Sequence, residues 1–205
     1  DTHAAISAGR LARRVDRLHR HFLTRYKQGR IRAGCDIHPQ VGCRAGRRRL
    51  FAPALNLANQ PTVWIEGGHS IDTSMGMTPL EGLVMGTRCG DVDPAVPMLL
   101  GEITGRTREE VHHMLNFDSG LLGLSGRSDM REVHRLAEEG DLDARLAIEM
   151  FCYRAKKYLG AYYAVLGHVD AVVFTAGIGE HDAEVRAHIC DGLERLGIEI
   201  AEEEN

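Results

Sequence analysis

The chain has 205 residues, of which 43% are hydrophobic and 26% are charged, a composition typical of a soluble globular protein with one domain. No apolar run approaches the roughly 20 residues of a membrane span, no leader of the secretory type opens the chain, and the five cysteines are scattered and odd in number. We therefore expect a cytoplasmic protein without a disulfide framework. The net charge of −4 is uneven, because residues 1–50 hold twelve Arg and one Lys against three Asp, a net +10.

Residues 8–24 are predicted to form a basic amphipathic helix. Its apolar stripe has spacings of four, three and four residues, at Leu11, Val15, Leu18 and Phe22. Two interpretations are open, a helix that binds nucleic acid or anionic lipid and a solvated surface helix. A zinc site is not expected nearby, since Cys35, His38 and Cys43 lack a Cys-x-x-Cys pair and a fourth ligand.

The central stretch, residues 64–100, combines a predicted hairpin with a glycine-rich segment. Glu66-Gly67-Gly68 separates two apolar runs and predicts a hairpin over residues 63–71.

Residues 74–94 are predicted to be a loop with a short helix, and they present a single arginine, Arg88. Glycines permit unusual backbone conformations and the close approach of a ligand, and the segment holds Gly76, Gly82, Gly86 and Gly90. Arginine in such a loop is a permanently charged fork for phosphate or carboxylate; the alternative is an ion pair with Asp91 or Asp93.

The remaining residues alternate helices and strands, as in an α/β protein. We predict helices over residues 104–116, 141–166 and 183–196, and strands over residues 169–175 and 198–201. The β-branched and aromatic run at 169–175 is typical of a buried strand. In the long helix a mostly apolar stripe comprises Leu146, Met150, Tyr153, Lys157 and Ala161. The predicted inner face of the last helix comprises Val185, Ile189, Leu193 and Leu196.

The glycine pair Gly177 and Gly179 directly follows the predicted strand at residues 169–175. Ligands of α/β sheets bind at the carboxyl ends of strands, and backbone N–H groups at a helix start favour anions. The two interpretations are a loop that contacts a nucleotide and an ordinary tight turn.

Four segments, in order, resemble acetate kinase and its short-chain acyl kinase relatives. They are DTSMGMTPLEGLVMGTRCGDVDP at residues 72–94, SGLLGLSG at 119–126 followed by Asp129-Met130-Arg131, the helix at 144–166, and VVFTAGIGE at 172–180. The resemblance covers about residues 64–200. It implies an α/β domain of the actin/Hsp70/sugar-kinase (ribonuclease H-like) fold, mostly the C-terminal half of a two-domain kinase.

The resemblance also implies a role for each matching residue. Arg88 takes the position that stabilises the transition state. Two segments contact the nucleotide: one is Asp129, Met130 and Arg131, and the other is Gly177, Ile178, Gly179, Glu180 and His181, where His181 replaces the family's usual Asn.

The implied activity is reversible, ATP-dependent phosphorylation of acetate or another short-chain carboxylate, with ATP/ADP and Mg²⁺ as cofactors and a homodimer as the assembly. Three family features are missing from the sequence. They are the N-terminal phosphate-binding segment, a catalytic Asp and His before residues 72–94, and the C-terminal Glu that helps to hold Mg²⁺. We therefore predict an incomplete or weakly active chain with no metal ligand of its own.

We predict a basic segment at residues 1–62 and a partial C-terminal kinase-like domain at 63–205. The missing family residues add a third interpretation of residues 1–62, a shifted reading frame. The alternative function is a non-catalytic protein that binds nucleic acid or other anions through this segment. Nucleic acid is the less favoured partner, because the segment has only Phe22 and Tyr26 as interleaved aromatic residues.

Overall fold

The computed structural model describes residues 51–56, 63–66, 69–203 and 205. The predicted helix at residues 8–24 and the residues Cys35, His38 and Cys43 lie outside the described residues. Within them, Cys89, Cys152 and Cys190 are free thiols. No helix in the described ranges is both long and apolar enough to cross a membrane.

A four-stranded mixed sheet combines three strands from the start of the described chain with one strand at residues 173–175. Its strands are β1 (Phe51–Asn56), β2 (Val63–Glu66), β3 (His69–Thr73) and β4 (Val173–Thr175), in the order β3-β2-β1-β4. Strands β1, β2 and β3 pair antiparallel, and β4 pairs parallel to β1 with Ala54 opposite Val173. The predicted hairpin is confirmed as β2 and β3. The boundary after residue 62 stays a prediction, and β1 lies on its N-terminal side.

Seven α-helices are described. They are α1 (Val96–Thr104), α2 (Arg108–Phe117), α3 (Gly120–Ser125), α4 (Met130–Glu138), α5 (Leu142–Leu166), α6 (Ala176–His181) and α7 (Ala183–Cys190), followed by a 3₁₀ turn, Glu194–Leu196. Side chains that cap the first turns determine several starts. Thr107 and Glu110 form a capping box at α2, and the carboxylates of Asp129, Asp141 and Asp182 cap α4, α5 and α7.

Helix α5 forms the centre of the core, with α3, α4 and α7 packed against it. Its buried face includes three alanines, Ala144, Ala147 and Ala155, each at most 1% exposed, and their small size allows the neighbouring helices to come close. The apolar stripe predicted for this helix lies on the solvent side instead, where Tyr153 is 63% exposed. The prediction chose the wrong face of the helix, since its large buried side chains are those of Ile148, Phe151, Leu159 and Tyr162.

Several predicted boundaries are wrong. Residues 74–94 form turns and bends without a helix, whereas α1, which was not predicted, follows them. The strand predicted at 169–175 is limited to residues 173–175 and is half-buried. The last helix stops at Cys190, because Gly192 adopts a left-handed φ of 75° two residues later, and residues 198–201 form no strand.

Candidate functional site

The segment that carries Arg88 is irregular in conformation but fixed by main-chain hydrogen bonds. Four main-chain hydrogen bonds, each between 2.9 and 3.1 Å long, join residues 85–89 to residues 115–122. They run from Cys89 N to Leu115 O, Ser119 N to Thr87 O, Leu121 N to Met85 O, and Leu122 N to Gly86 O. A further bond from Met85 N to Arg88 O closes a turn inside the segment at 3.1 Å. The backbone position of Arg88 is therefore set by the protein itself and needs no ligand.

Glycines in and near this segment let the main chain approach itself. A Cβ atom at Gly120, where φ is +62°, would lie 2.1 Å from Met85 O, and one at Gly90, where φ is +71°, would lie 2.7 Å from Gly82 O. The sequence indicated that glycines such as Gly90 admit a ligand. The structure assigns the space at Gly82 and Gly90 to contacts within the chain, and at Gly86 the nearest group is Ser128 O.

Asp91 links this segment to the long helix α5. One carboxylate oxygen, Oδ1, accepts a hydrogen bond from Gly82 N at 2.8 Å. The other, Oδ2, accepts from Tyr158 Oη at 2.8 Å and forms an ion pair with Arg154 Nη1 at 2.7 Å. Burial, together with this bond to Asp91, raises the pKa of Tyr158, so the phenol remains a donor.

We expect Tyr158→Phe to lower the free energy of unfolding by about 1–2 kcal/mol, because Asp91 loses one partner in a half-buried setting while the ring volume is kept. Urea denaturation of the 205-residue chain measures the change. Tyr153→Phe is the control, since Tyr153 is 63% exposed on the same helix. An equal loss in both variants would contradict the role given to Tyr158.

Within the described residues the Arg88 guanidinium has no carboxylate partner. The alternative partner Asp91 is paired with Arg154, and Asp93 Oδ1 accepts from Ala95 N at 2.8 Å, before α1. Arg88 Nη1 lies 3.7 Å from Met85 Sδ, and no carboxylate in the described part of the chain forms an ion pair with Arg88. A half-buried arginine without a carboxylate partner retains its capacity to bind an anion.

The segment Asp129-Met130-Arg131 starts helix α4 and lies close to the Arg88 loop. Asp129 caps the helix, and its carboxylate pairs with Arg131 at 2.5 Å, which holds the pKa of Asp129 at about 2. Met130 is 3% exposed and belongs to the core, whereas the side chain of Arg131 is 90% exposed. Met130 therefore anchors the segment and Arg131 faces the solvent.

The second predicted segment, residues 177–181, lies in the short helix α6 and not in a turn. Gly177 is exposed with open space beside it, Gly179 is buried, and Glu180 and His181 are exposed. Ala176, just before the segment, has a φ of +64°, a strained value for alanine that often marks functional sites. Ile178 packs against the core cluster.

Sequence reasoning missed three residues that hold residues 177–181 in place. Arg186 Nη1 donates to Gly179 O at 2.9 Å and to Glu180 O at 3.0 Å, and His134 Nε2 lies 2.8 Å from Asp182 Oδ2. The available signal was the position of Asp182 before α7, which is typical of a helix cap. His134 and Arg186 had no sequence signal of this kind.

The described residues contain no group of three or more His, Cys, Asp or Glu side chains placed to hold a metal ion.

A model of the acetokinase family matches residues 56–205. The chain belongs to this family. Similar curated proteins are the acetate kinases of Syntrophobacter fumaroxidans, 57% identical over 141 residues, and of Lawsonia intracellularis, 57% identical over 134 residues. These matches cover 69% and 65% of this chain but only 34% and 33% of the relatives, so the chain spans about a third of their length.

Solved structures of the acetokinase family confirm the fold class. A propionate kinase from Francisella tularensis matches with a TM-score of 0.73 and 43% identity, covering 77% of this chain and 41% of that one. The Porphyromonas gingivalis acetate kinase matches with a TM-score of 0.71 and 41% identity, over 76% of this chain and 39% of that one. The predicted resemblance is confirmed, and the described α/β structure is a segment of an actin-like kinase domain.

Proposed function

We propose that this chain supplies part of the catalytic domain of an ATP-dependent kinase that phosphorylates a short-chain carboxylate, acetate or a close homologue. The observation that carries the proposal is the half-buried Arg88 guanidinium, which is held by a fixed backbone and forms no ion pair with a described carboxylate. Membership of the acetokinase family supports the reaction class. The proposed cofactors, ATP/ADP and Mg²⁺, and the proposed cytoplasmic location follow from this activity.

In the proposed reaction a carboxylate oxygen of the substrate attacks the γ-phosphorus of ATP. A new P–O bond forms to give the acyl phosphate, and the bond to the β,γ-bridging oxygen breaks, so that ADP leaves with the electron pair. Arg88 donates hydrogen bonds to the oxygens of the transferring phosphoryl group and stabilises their charge in the transition state. Mg²⁺ would neutralise further phosphate charge when bound, and its ligands are not assigned to the described residues.

The nucleotide is proposed to lie along residues 129–131 and 177–181. Arg131 and Gly177 are exposed and accessible, and the ionised Asp129 keeps Arg131 oriented. Gly177 has no neighbouring atom that a Cβ would meet, which leaves room for an adenosine to reach the main chain. His181 stands at the exposed end of the second segment.

We also propose a homodimer. Helix α1 has no buried residue, and it exposes three large apolar side chains, Met98, Leu99 and Ile103, by 65%, 51% and 72%. A second copy would remove this apolar surface from water. The alternative function, binding of nucleic acid or other anions through residues 10–49, depends on residues outside the described ranges and stays a prediction.

The proposal is tested with a chimeric kinase, in which residues 64–205 of this chain replace the matching segment of the Syntrophobacter fumaroxidans acetate kinase. We expect the chimera to form acyl phosphate from ATP and acetate, measured as the hydroxamate. The 205-residue chain alone should bind ADP weakly and form little or no acyl phosphate.

Propionate and butyrate, supplied in place of acetate, identify the preferred carboxylate. A folded chimera that is inactive with all three acids would contradict the kinase assignment. Rapid acyl phosphate formation by the 205-residue chain alone would contradict its proposed incompleteness.

A further inference from the structure

The two segments proposed to contact the nucleotide lie on different elements and need a fixed separation. Residues 129–131 start α4, whereas residues 177–181 belong to α6, and α5 lies between them in the chain. We infer that His134 is a positioning residue, which holds the two segments in register through its bond to Asp182. This inference rests on the proposed function, because it concerns the same nucleotide.

The His134–Asp182 pair spans the gap between the two elements. His134 Nε2 lies 2.8 Å from Asp182 Oδ2, and the side chains are only 18% and 16% exposed. The carboxylate can only accept, so Nε2 carries the hydrogen. On its other side, His134 Nδ1 lies 3.5 Å from Glu184 Oε2, and Glu184 is 60% exposed. Shielding from water makes the inner bond to Asp182 the stronger of the two.

The pair lies directly above the core. Its neighbours along the two elements are Val133 and Val185, both 0% exposed and both in the same apolar cluster. Because the apolar core beneath the pair is closely packed, the His134–Asp182 contact can pass a displacement from one segment to the other without being deformed itself. Movement of His134 therefore shifts residues 181–182 and not the core.

Asp182 joins three features at one residue. Its main-chain N donates to Ile178 O at 3.0 Å and ends α6, while Oδ1 accepts from Val185 N at 3.0 Å and caps α7. The other carboxylate oxygen, Oδ2, accepts the hydrogen bond from His134 Nε2. Because Asp182 directly follows His181, any displacement of its side chain displaces the end of the proposed nucleotide segment.

Apart from His134, which contacts Asp182 and Glu184, no described residue of α4 forms a polar side-chain contact with residues 176–184. Arg186 supports Gly179 and Glu180 from the side of α7, and it does not reach α4. Arg135 pairs with Glu139, within and just after its own helix. The register between the two segments thus depends on the apolar core and on His134.

A positioning role predicts a change in nucleotide affinity that a structural role does not. An adenosine that contacts both segments binds more tightly when their separation is set in advance. Loss of a merely stabilising contact would lower the unfolding temperature and leave the affinity of the folded molecules unchanged.

Four variants separate these roles in the 205-residue chain. His134→Leu removes the bond, and His134→Gln restores a donor near the place of Nε2. Asp182→Ser keeps a side-chain oxygen that can cap α7 and removes the oxygen that accepts from His134. His113→Leu is the matched control, because His113 on α2 forms a 3.0 Å pair with Asp118, just after the helix, in which both side chains are more than half exposed.

The readouts are the Kd for ADP, from calorimetric titration well below the unfolding temperature, and the amide NMR shifts of Gly177 and Gly179. We expect His134→Leu and Asp182→Ser each to raise the Kd about tenfold and to shift both glycine amides. His134→Gln should recover most of the affinity, and His113→Leu should match the unsubstituted chain.

A Kd for ADP within twofold of the unsubstituted value in both His134→Leu and Asp182→Ser would overturn the positioning role alone. If His134→Leu does not fold, Asp182→Ser decides the question, since serine also caps helices. Failure of the unsubstituted chain to bind ADP or to shift either glycine amide would overturn the proposed function together with this inference.

Discussion

Replacement of Arg88 by alanine in the chimeric kinase is expected to lower kcat about 10³-fold or more, while the Kd for ATP changes less than about twofold. The reason is that the proposed contacts of Arg88 are stronger in the transition state than in the ground state. In its proposed role the guanidinium contacts the transferring phosphoryl group, whose charge is spread over three oxygens, and not the adenosine.

Arg88→Lys should recover only a small part of this loss, because lysine restores the charge but not the planar pair of donors. Initial rates of acyl phosphate formation give kcat, and calorimetric titration with ATP gives the Kd. The matched control is Arg108→Ala, whose guanidinium pairs with Glu109 and is 92% exposed at the start of α2. Equal losses in kcat and in ATP affinity for Arg88→Ala would refute its assignment to the transferring group.

The second large effect is expected at Gly120. Alanine there would place its Cβ 2.1 Å from Met85 O while φ is +62°. Since Met85 O is main chain and accepts from Leu121 N at 2.9 Å, it cannot move without breaking the hydrogen bonds that fix the Arg88 loop. We expect Gly120→Ala to destabilise the chain by about 3 kcal/mol or more, measured by urea denaturation.

Gly126 is the matched control for Gly120, because it has a φ of +72° at the end of the same short helix, with nothing within 4 Å of a Cβ. Gly126→Ala should cost only about 1 kcal/mol, the contribution of the left-handed backbone. If both substitutions destabilise the chain equally, the close approach of Gly120 to Met85 has no energetic importance.

The elements that the sequence predicted well are those whose signals are local. The hairpin at 63–71 follows from its glycine turn, and α5 begins after Asp141 and ends at Gly167, both of which are ordinary end signals. The role of Arg88 stays a prediction, and its signal in the sequence was a charged residue among glycines, which has no role in a core.

The predictions that failed depend on tertiary contacts. The buried face of α5 consists partly of alanines, whose role is visible only once α3, α4 and α7 are in place. Glycines were interpreted as space for a ligand, although Gly82 and Gly90 accommodate the chain itself. The His134–Asp182 bond joins residues that are 48 positions apart in the chain, and the helix and strand periodicities of a sequence do not indicate such a pair.

The link from Asp91 to α5 has a consequence for the order of folding. Asp91 bonds to Arg154 and Tyr158, which lie 63 and 67 residues later in the chain. During synthesis the glycine-rich segment therefore leaves the ribosome long before its partners exist, and a contact of such long sequence separation forms only after its loop has closed. The link from Asp91 to α5 is thus completed late, so nascent chains that stop before Arg154 carry the whole glycine-rich segment without this link.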